Sequence, residues 1–328
     1  MRKIVLFGLL LQFCMAINAQ GTGYVYIDGV LYHILSEEEK TAECYSVELG
    51  IQNMVIRPEV SIDGHDYIVT EIDDEAVQVL NGEHITTLTF PNTLKRIGVG
   101  NFIGNPLTEL QLPPSLEYIG NESFLGLRIQ SLLIPASLTH IGSEVFSGNT
   151  FCTSIMVDEK NPIYDSRNNC NAIIESATNK LIKGCQTTVV PSTVTAIAPG
   201  AFSYCNSLLN IDLPESVKSV GRSAFGGCNK LESISIHSST PPQADEDIIR
   251  SYDYNTVVLY VPKGSKTVYQ ATPIWGKFTN IVEMSNTDIS IGSLLKTPAT
   301  IVYDLQGRRL SKEPAHGVYI QNGRKRIK

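Results

Sequence analysis

The chain has 328 residues, of which 42% are hydrophobic and 18% charged, and its net charge is −7. That is enough chain to bury a large core and too little charge for a disordered polypeptide. The acidic balance excludes nucleic acid as the main partner, and seven cysteines are too few for a disulfide-built miniprotein.

Residues 1–19 read as a secretory signal peptide. Arg2 and Lys3 precede an apolar run from Ile4 to Met15, and Ile17-Asn18-Ala19 places a small residue before a cut ahead of Gln20. The run is shorter than the roughly 20 apolar residues of a membrane-spanning helix. Bulky Gln12 and Phe13 disfavour lipidation at Cys14, and no later segment is long and apolar enough to span a bilayer. Residues 20–57 hold Asp28-Gly29 between the runs Tyr24–Ile27 and Val30–Leu35, which predicts a hairpin. It would serve as an N-terminal β cap, because the first coil of a stacked fold lacks a neighbour.

The middle of the chain repeats one phrase: Pro, Leu or Val three residues on, Ile three further, Gly next, and Phe four after the Gly. It reads Pro91-Leu94-Ile97-Gly98-Phe102, then Pro113-Leu116-Ile119-Gly120-Phe124, then Pro135-Leu138-Ile141-Gly142-Phe146. It returns as Pro191-Val194-Ile197-Ala198-Phe202 and Pro214-Val217-Val220-Gly221-Phe225, with a weaker first copy at Val69-Ile72-Val77. The steps are 22, 22, 56 and 23 residues, so the long step is one ordinary coil plus an insertion of 33. Each copy adjoins a second apolar triplet: Ile85-Leu88-Phe90, Leu107-Leu110-Leu112, Ile129-Leu132-Ile134, Cys152-Ile155-Val157, Leu208-Ile211-Leu213 and Leu231-Ile234-Ile236. A period of 20–29 residues with fixed apolar positions is the signature of a leucine-rich solenoid. The last two apolar positions of each triplet alternate as a strand does. Three residues beyond each Phe stand Asn105, Leu127, Asn149, Cys205 and Cys228, a column suited to a buried turn.

With these residues in view, the phrase resembles the BspA-like leucine-rich repeat of bacterial surface proteins, most closely at Leu208–Val217 and Ser223-Ala224-Phe225. The resemblance implies a repeat solenoid over 58–284, mainly β with short helical turns. It also implies an end cap at 256–284 around Leu259–Ser265 and Trp275, and a function in adhesion to host matrix proteins or to other cells.

The insertion, 158–190, reads as a β-hairpin of Asn171–Glu175 and Lys180–Gly184. Symmetric folding sets Ile173 against Ile182 and Cys170 against Cys185. That pair is either a cross-strand disulfide, which export permits, or two separate semi-buried thiols. Residues 285–300, rich in Ser, Thr and Asn, read as a linker. Residues 301–328 carry a local charge of +5 against about −14 for residues 20–300. They read as a small β module of three short strands, which resembles the C-terminal sorting domains of type IX secretion substrates; a basic module without an addressing role is the alternative.

No catalytic, cofactor or metal motif is present. His33, His65, His84, His140, His237 and His316 are scattered, and Asp73-Asp74-Glu75 and Asp245-Glu246-Asp247 lack an EF-hand pattern. An enzyme is not expected, and no cofactor is. Trp275 reads as a core residue of the end cap. What the strands offer is two outward columns: Thr87, Glu109, Ser131, Ser154, Asn210 and Ser233, and beside them Thr89, Gln111, Leu133, Met156, Asp212 and Ser235. Solenoids use such surfaces for recognition. The expectation is an exported, monomeric cell-surface or secreted binding protein. Its partner is a host or neighbouring-cell surface protein or a glycan; a structural envelope protein without a diffusible ligand is the other reading.

Overall fold

A computed structural model describes residues 22–77, 84–244, 246–250 and 253–284, together with the strand backbones Val302–Tyr303, Arg309–Leu310, Val318–Gln321 and Arg324–Ile327. Residues 1–19, read as a signal peptide, and 285–300, read as a linker, lie outside the described residues. The fold is a mainly-β repeat solenoid of about ten turns with very little helix. Contacts divide it into two compact units. One holds the chain up to Leu107 with Leu112–Leu125 and His140–Val145; the other holds Thr108–Gln111, Gly126–Thr139 and the chain from Phe146.

The first unit begins with the expected hairpin. Tyr24–Ile27 pairs antiparallel with Val30–Ser36, closed at Asp28 (φ 50°) and Gly29 (φ 80°), the left-handed pair that a tight two-residue turn requires. Thr41–Val47 continues antiparallel, then pairs in parallel with His65–Ile72. Parallel pairing follows from there through Arg96–Ile97, Tyr118–Ile119 and His140–Ile141.

Coil stacking explains the repeated phrase residue by residue. Proline at its start ends the preceding strand, since it has no N–H for the ladder. Leu94, Ile97, Leu116 and Ile119 are all fully buried. The glycine after each Ile is demanded by the neighbouring coil. A Cβ at Gly120 would lie 2.6 Å from Val99 N, at Gly142 2.6 Å from Asn121 N, and at Gly221 2.4 Å from Pro199 N. These are backbone atoms that cannot step aside. Ala198 breaks the pattern because its neighbour is the insertion: its N–H donates to Leu181 O, at 2.9 Å, and not to another repeat turn.

Phenylalanines form the thickest part of the core. Phe102 and Phe124 stack at 5.4 Å with Phe90 edge-on to both, and in the second unit Phe202 and Phe225 stack at 5.4 Å. The polar column bonds backbone groups within and between turns. Asn105 Oδ1 accepts from Ile85 N at 2.7 Å and Cys228 Sγ donates to Phe202 O at 3.1 Å; outside the column, Ser123 Oγ, just before Phe124, donates to Gly98 O at 2.6 Å.

In the second unit, Ser131–Ile134 pairs in parallel with Ser154–Val157. Further on, Asn210–Leu213, Ser233–Ile236, Val258–Val261 and Ile281–Glu283 form one parallel sheet. The triplet at Leu107–Leu112 forms no ladder strand. Trp275 is a core residue, 1% exposed, with Nε1 donating to Pro242 O at 2.6 Å and its ring stacked on Phe278. In the tail the described strands number four where three were expected, in the order Arg309–Leu310, Val302–Tyr303, Val318–Gln321, Arg324–Ile327.

The insertion is a hairpin of Ala172–Glu175 and Lys180–Gly184, but its register differs from the symmetric one. A bulge between Ile173 and Ile174 sets Ile173 opposite Lys183 and Ala172 opposite Gly184. Continued one step, this pairing no longer faces Cys170 with Cys185, and the six described cysteines are free thiols. Cys170 Sγ donates to Ala172 O, and Cys185 Sγ to Asn171 O. The base of the insertion is tied by a charge network. Asp165 takes Arg167 Nε at 2.7 Å and Nη2 at 2.6 Å, and Ser176 Oγ at 2.6 Å; Arg167 Nη1 reaches Asn179 Oδ1 at 2.6 Å. Partial burial opposes ionisation of Asp165, yet these donors hold its carboxyl below the usual range.

Three substitutions test this packing. In urea melts, Gly120→Ala costs about 1–3 kcal/mol by overlap and Phe124→Ala about 3–5 kcal/mol by cavity formation; a neutral Gly120→Ala would refute the close approach. Asp165→Asn costs about 1–3 kcal/mol at pH 7. Because the folded pKa is depressed, this stabilisation is present above the unfolded carboxyl value of about 4. It fades as pH falls through that value and below, so the gap between wild type and variant closes in acid.

Candidate recognition face

The two outward columns expected from the triplets do not form one uniform surface. Thr87, Thr89, Glu109, Gln111, Asn210 and Asp212 are exposed, while Ser131, Leu133, Met156 and Ser235 are half-buried. Ser154 and Ser233 are corrections, at 3% and 9% exposed. Ser233 Oγ donates to Asn210 Oδ1 at 2.7 Å, and the carbonyl of Ser154 accepts from Cys152 Sγ at 3.5 Å. Thr87 Oγ1 donates to Asn53 Oδ1 at 2.7 Å in the first unit. Leu133 and Met156 are direct cross-strand partners, forming the apolar pair. The last sheet extends the second column past the repeats: Asp212, Ser235, Tyr260 and Val282 are register partners in turn. Asp212 lies 3.8 Å from His237 Nε2, and the nearby imidazole, helped by Ser235 against partial burial, holds its carboxyl low. Trp275 contributes nothing to a surface.

A denser set of functional groups lies on the other ladder, entirely within the first unit. Strand register places Tyr24, His33, Glu43, Glu71, Arg96, Tyr118 and His140 in one row across seven strands. At one end Tyr24 stacks on His33 at 4.4 Å, with Tyr45 edge-on to Tyr24 at 5.5 Å. His33 Nδ1 lies 3.0 Å from Glu43 Oε1. At the other end Tyr118 and His140 stack face to face at 4.4 Å and 6°. Arg96 sits over the Tyr118 ring at 5.3 Å, and bridges to Glu71 at 3.5 Å and Asp74 at 3.0 Å. Asp74 thus belongs to the turn and the row: its carboxylate also accepts from Val99 N at 2.9 Å.

The electrostatics of the row are uneven. Burial pushes the Glu71 carboxyl up, Arg96 pulls it down, and the neighbouring Glu43 and Asp73 raise it again, leaving it above its ordinary value. Glu71 thus sits between the Arg96 guanidinium on one side and burial with two acidic neighbours on the other. Sequence reasoning took His140 as one of six scattered histidines and missed the row. The signal was the variable position just before the Ile of each phrase, which gives Arg96, Tyr118 and His140 in successive coils.

A BspA type leucine rich repeat region model matches residues 70–178 and 172–246, in six copies, more than half of the chain. The chain belongs to this family. Its members are bacterial leucine-rich-repeat surface proteins, a family not known for catalysis. No curated protein matches the chain. Among solved structures, a leucine-rich repeat protein from Eubacterium ventriosum is 20% identical with a TM-score of 0.45, covering 59% of this chain and 61% of that one. The chain therefore spans about three-fifths of that relative's length. A leucine-rich repeat protein from Bacteroides ovatus is 20% identical (TM-score 0.44, 79% and 76% covered), and the pneumococcal vaccine antigen PcpA is 15% identical (TM-score 0.44, 81% and 100% covered). No helix among the described residues is long and apolar enough to cross a membrane.

The strained carboxylate yields a sign. Glu71 binds its proton more readily in the fold than in the unfolded chain, so its charge costs stability once pH rises above the unfolded value of about 4.3. Glu71→Gln is expected to raise Tm at pH 7 and to leave it unchanged near pH 3. A lower Tm at pH 7 would show that the Arg96 bridge outweighs burial and the acidic neighbours.

Proposed function

We propose that this family member is an exported surface protein that recognises another protein, in adhesion or cell–cell contact, through the row from Tyr24 to His140. The observation that carries the reading is the Arg96–Tyr118–His140 stack beside Glu71. Tyr and Arg in half-buried, pre-ordered positions are the residue types that dominate protein–protein binding energy. The acidic pair Glu43 and Glu71 suits a partner that presents Lys or Arg, which fits the net charge of about −14 over residues 20–300.

A glycan partner is the alternative, and the same geometry weighs against it. A sugar platform needs an open aromatic face, whereas Tyr118 carries Arg96 on one face and His140 on the other. Trp275, which that reading would need at the surface, is buried. Export rests on the signal reading of residues 1–19, and the sorting role of 301–328 on its resemblance; catalysis has no part in the proposal. The paired Leu133 and Met156 are a second candidate contact, favoured by their direct cross-strand placement.

Arrays of matrix proteins and of glycans probed with residues 20–328 decide between these. Capture by a protein spot is expected, with Tyr118→Ala and Arg96→Ala each weakening it by about 2 kcal/mol or more and Leu133→Asp with Met156→Asp leaving it intact. Capture by glycans alone, or loss only on the Leu133 and Met156 changes, would overturn the assignment.

A further inference from the structure

The turn after each core phenylalanine has one position that the repeat reserves for glycine. Two residues past the Phe stand Gly104, Gly126, Gly148 and Gly227, with φ of 70°, 76°, 74° and 73°. Tyr204 takes that place in the coil after the insertion, and its φ is 57°. Left-handed backbone is costly for a bulky side chain. Every other non-glycine residue found there among the described residues is Asp, Asn, Glu, Lys or Ser. Core packing does not require the Tyr204 ring, which is 46% exposed.

Neighbouring coils hold that ring at the surface of the second unit. A Cβ at Gly227 would lie 2.7 Å from Tyr204 Cδ1, so the ring lies against the next turn. The Arg250 guanidinium carbon sits over the ring at 5.7 Å, and Arg250 Nη1 lies 3.5 Å from Asn229 Oδ1. Asn229 Nδ2 in turn donates to Asn206 Oδ1 at 3.2 Å. On the other side Ser203 Oγ donates to Ser147 Oγ at 3.0 Å, which sets the turn of Phe151 beside that of Tyr204. Phe151 is 55% exposed. Charge marks the same edge. Residues 147–151, 203–207 and 226–230 hold Lys230 and no acidic residue, in a body of about −14 over residues 20–300. Lys230 is exposed, and Asp253 offsets part of the Arg250 charge.

We propose that this turn edge is a second recognition site, centred on Tyr204, for a protein segment presenting Asp or Glu beside an apolar side chain. Arg250 and Lys230 receive the carboxylate, and Phe151 and Tyr204 receive the apolar group. Exposed aromatic and Arg side chains are the types that dominate binding energy. Tyr204 is thus kept for binding where glycine would suit the backbone better. The site is independent of the first-unit row, whose acidic pair suits a partner of opposite charge.

The test pans a random peptide display library on residues 20–328, and on the same chain carrying Tyr204→Gly with Arg250→Ala. Peptides enriched on the wild type alone are expected to share Asp or Glu next to Leu, Phe or Tyr. A synthetic peptide of that consensus loses about tenfold or more in affinity with either single change. It keeps its affinity with Tyr118→Ala, a change in the first-unit row. Tyr204→Gly is expected to melt close to the wild type, because relief of the left-handed backbone offsets the lost ring contact. A drop in Tm without loss of peptide affinity would make Tyr204 a filler of the turn and overturn the proposal. A basic consensus, enrichment that survives the double variant, or no enrichment would do the same. So would capture of hyaluronan in place of peptide, lost in the same variants.

Discussion

The close approach of one coil to the next is the constraint on which the rest depends. Parallel neighbours in a ladder sit about 4.8 Å apart, and at the Ile-Gly step the backbones come nearer than a methyl group allows. That distance fixes glycine in the phrase and brings Phe102 onto Phe124 and Phe202 onto Phe225. It also converts each variable position into a surface row. Arg96, Tyr118 and His140 touch because their coils have no room to part.

A single stacked coil buries too little to stand alone, so the free energy of such a fold is shared between neighbours. The insertion is where that sharing is interrupted. Residues 158–190 supply their own strands to continue the Lys180, Ala196 and Ser219 ladder. They bring a charge network at Asp165 and a buried Lys183 that no ordinary coil carries. The first unit holds Glu71 and its aromatic row, the second the charge network and polar ties of the hairpin.

The core was readable from sequence because its signal is a period. Pro, Leu, Ile, Gly and Phe recur at fixed steps, and burial of Leu94, Ile119, Phe124 and Phe225 follows from that pattern alone. The recognition row was not readable, for two physical reasons. Half of it comes from Tyr24, His33 and Glu43, whose place depends on register shifts between Leu31 and Tyr32 and between Ala42 and Glu43. Such irregularities leave no trace in hydrophobic alternation. Arg96, Tyr118 and His140 lie on two-residue strands, too short for alternation to mark an outer face. The same cause displaced Cys170 from Cys185: one bulge at Ile173 moves a cross-strand partner by a residue.

The central claim is that a partner seats on the row from Tyr24 to His140. Hydroxyl-radical footprinting of residues 20–328, free and bound to the matrix protein that captures it, tests this directly. Protection is expected at Tyr24, His33, Tyr118 and His140, with Met156 and Tyr260 labelled equally in both states. Protection confined to Met156 and Tyr260, with the row unchanged, would contradict the account.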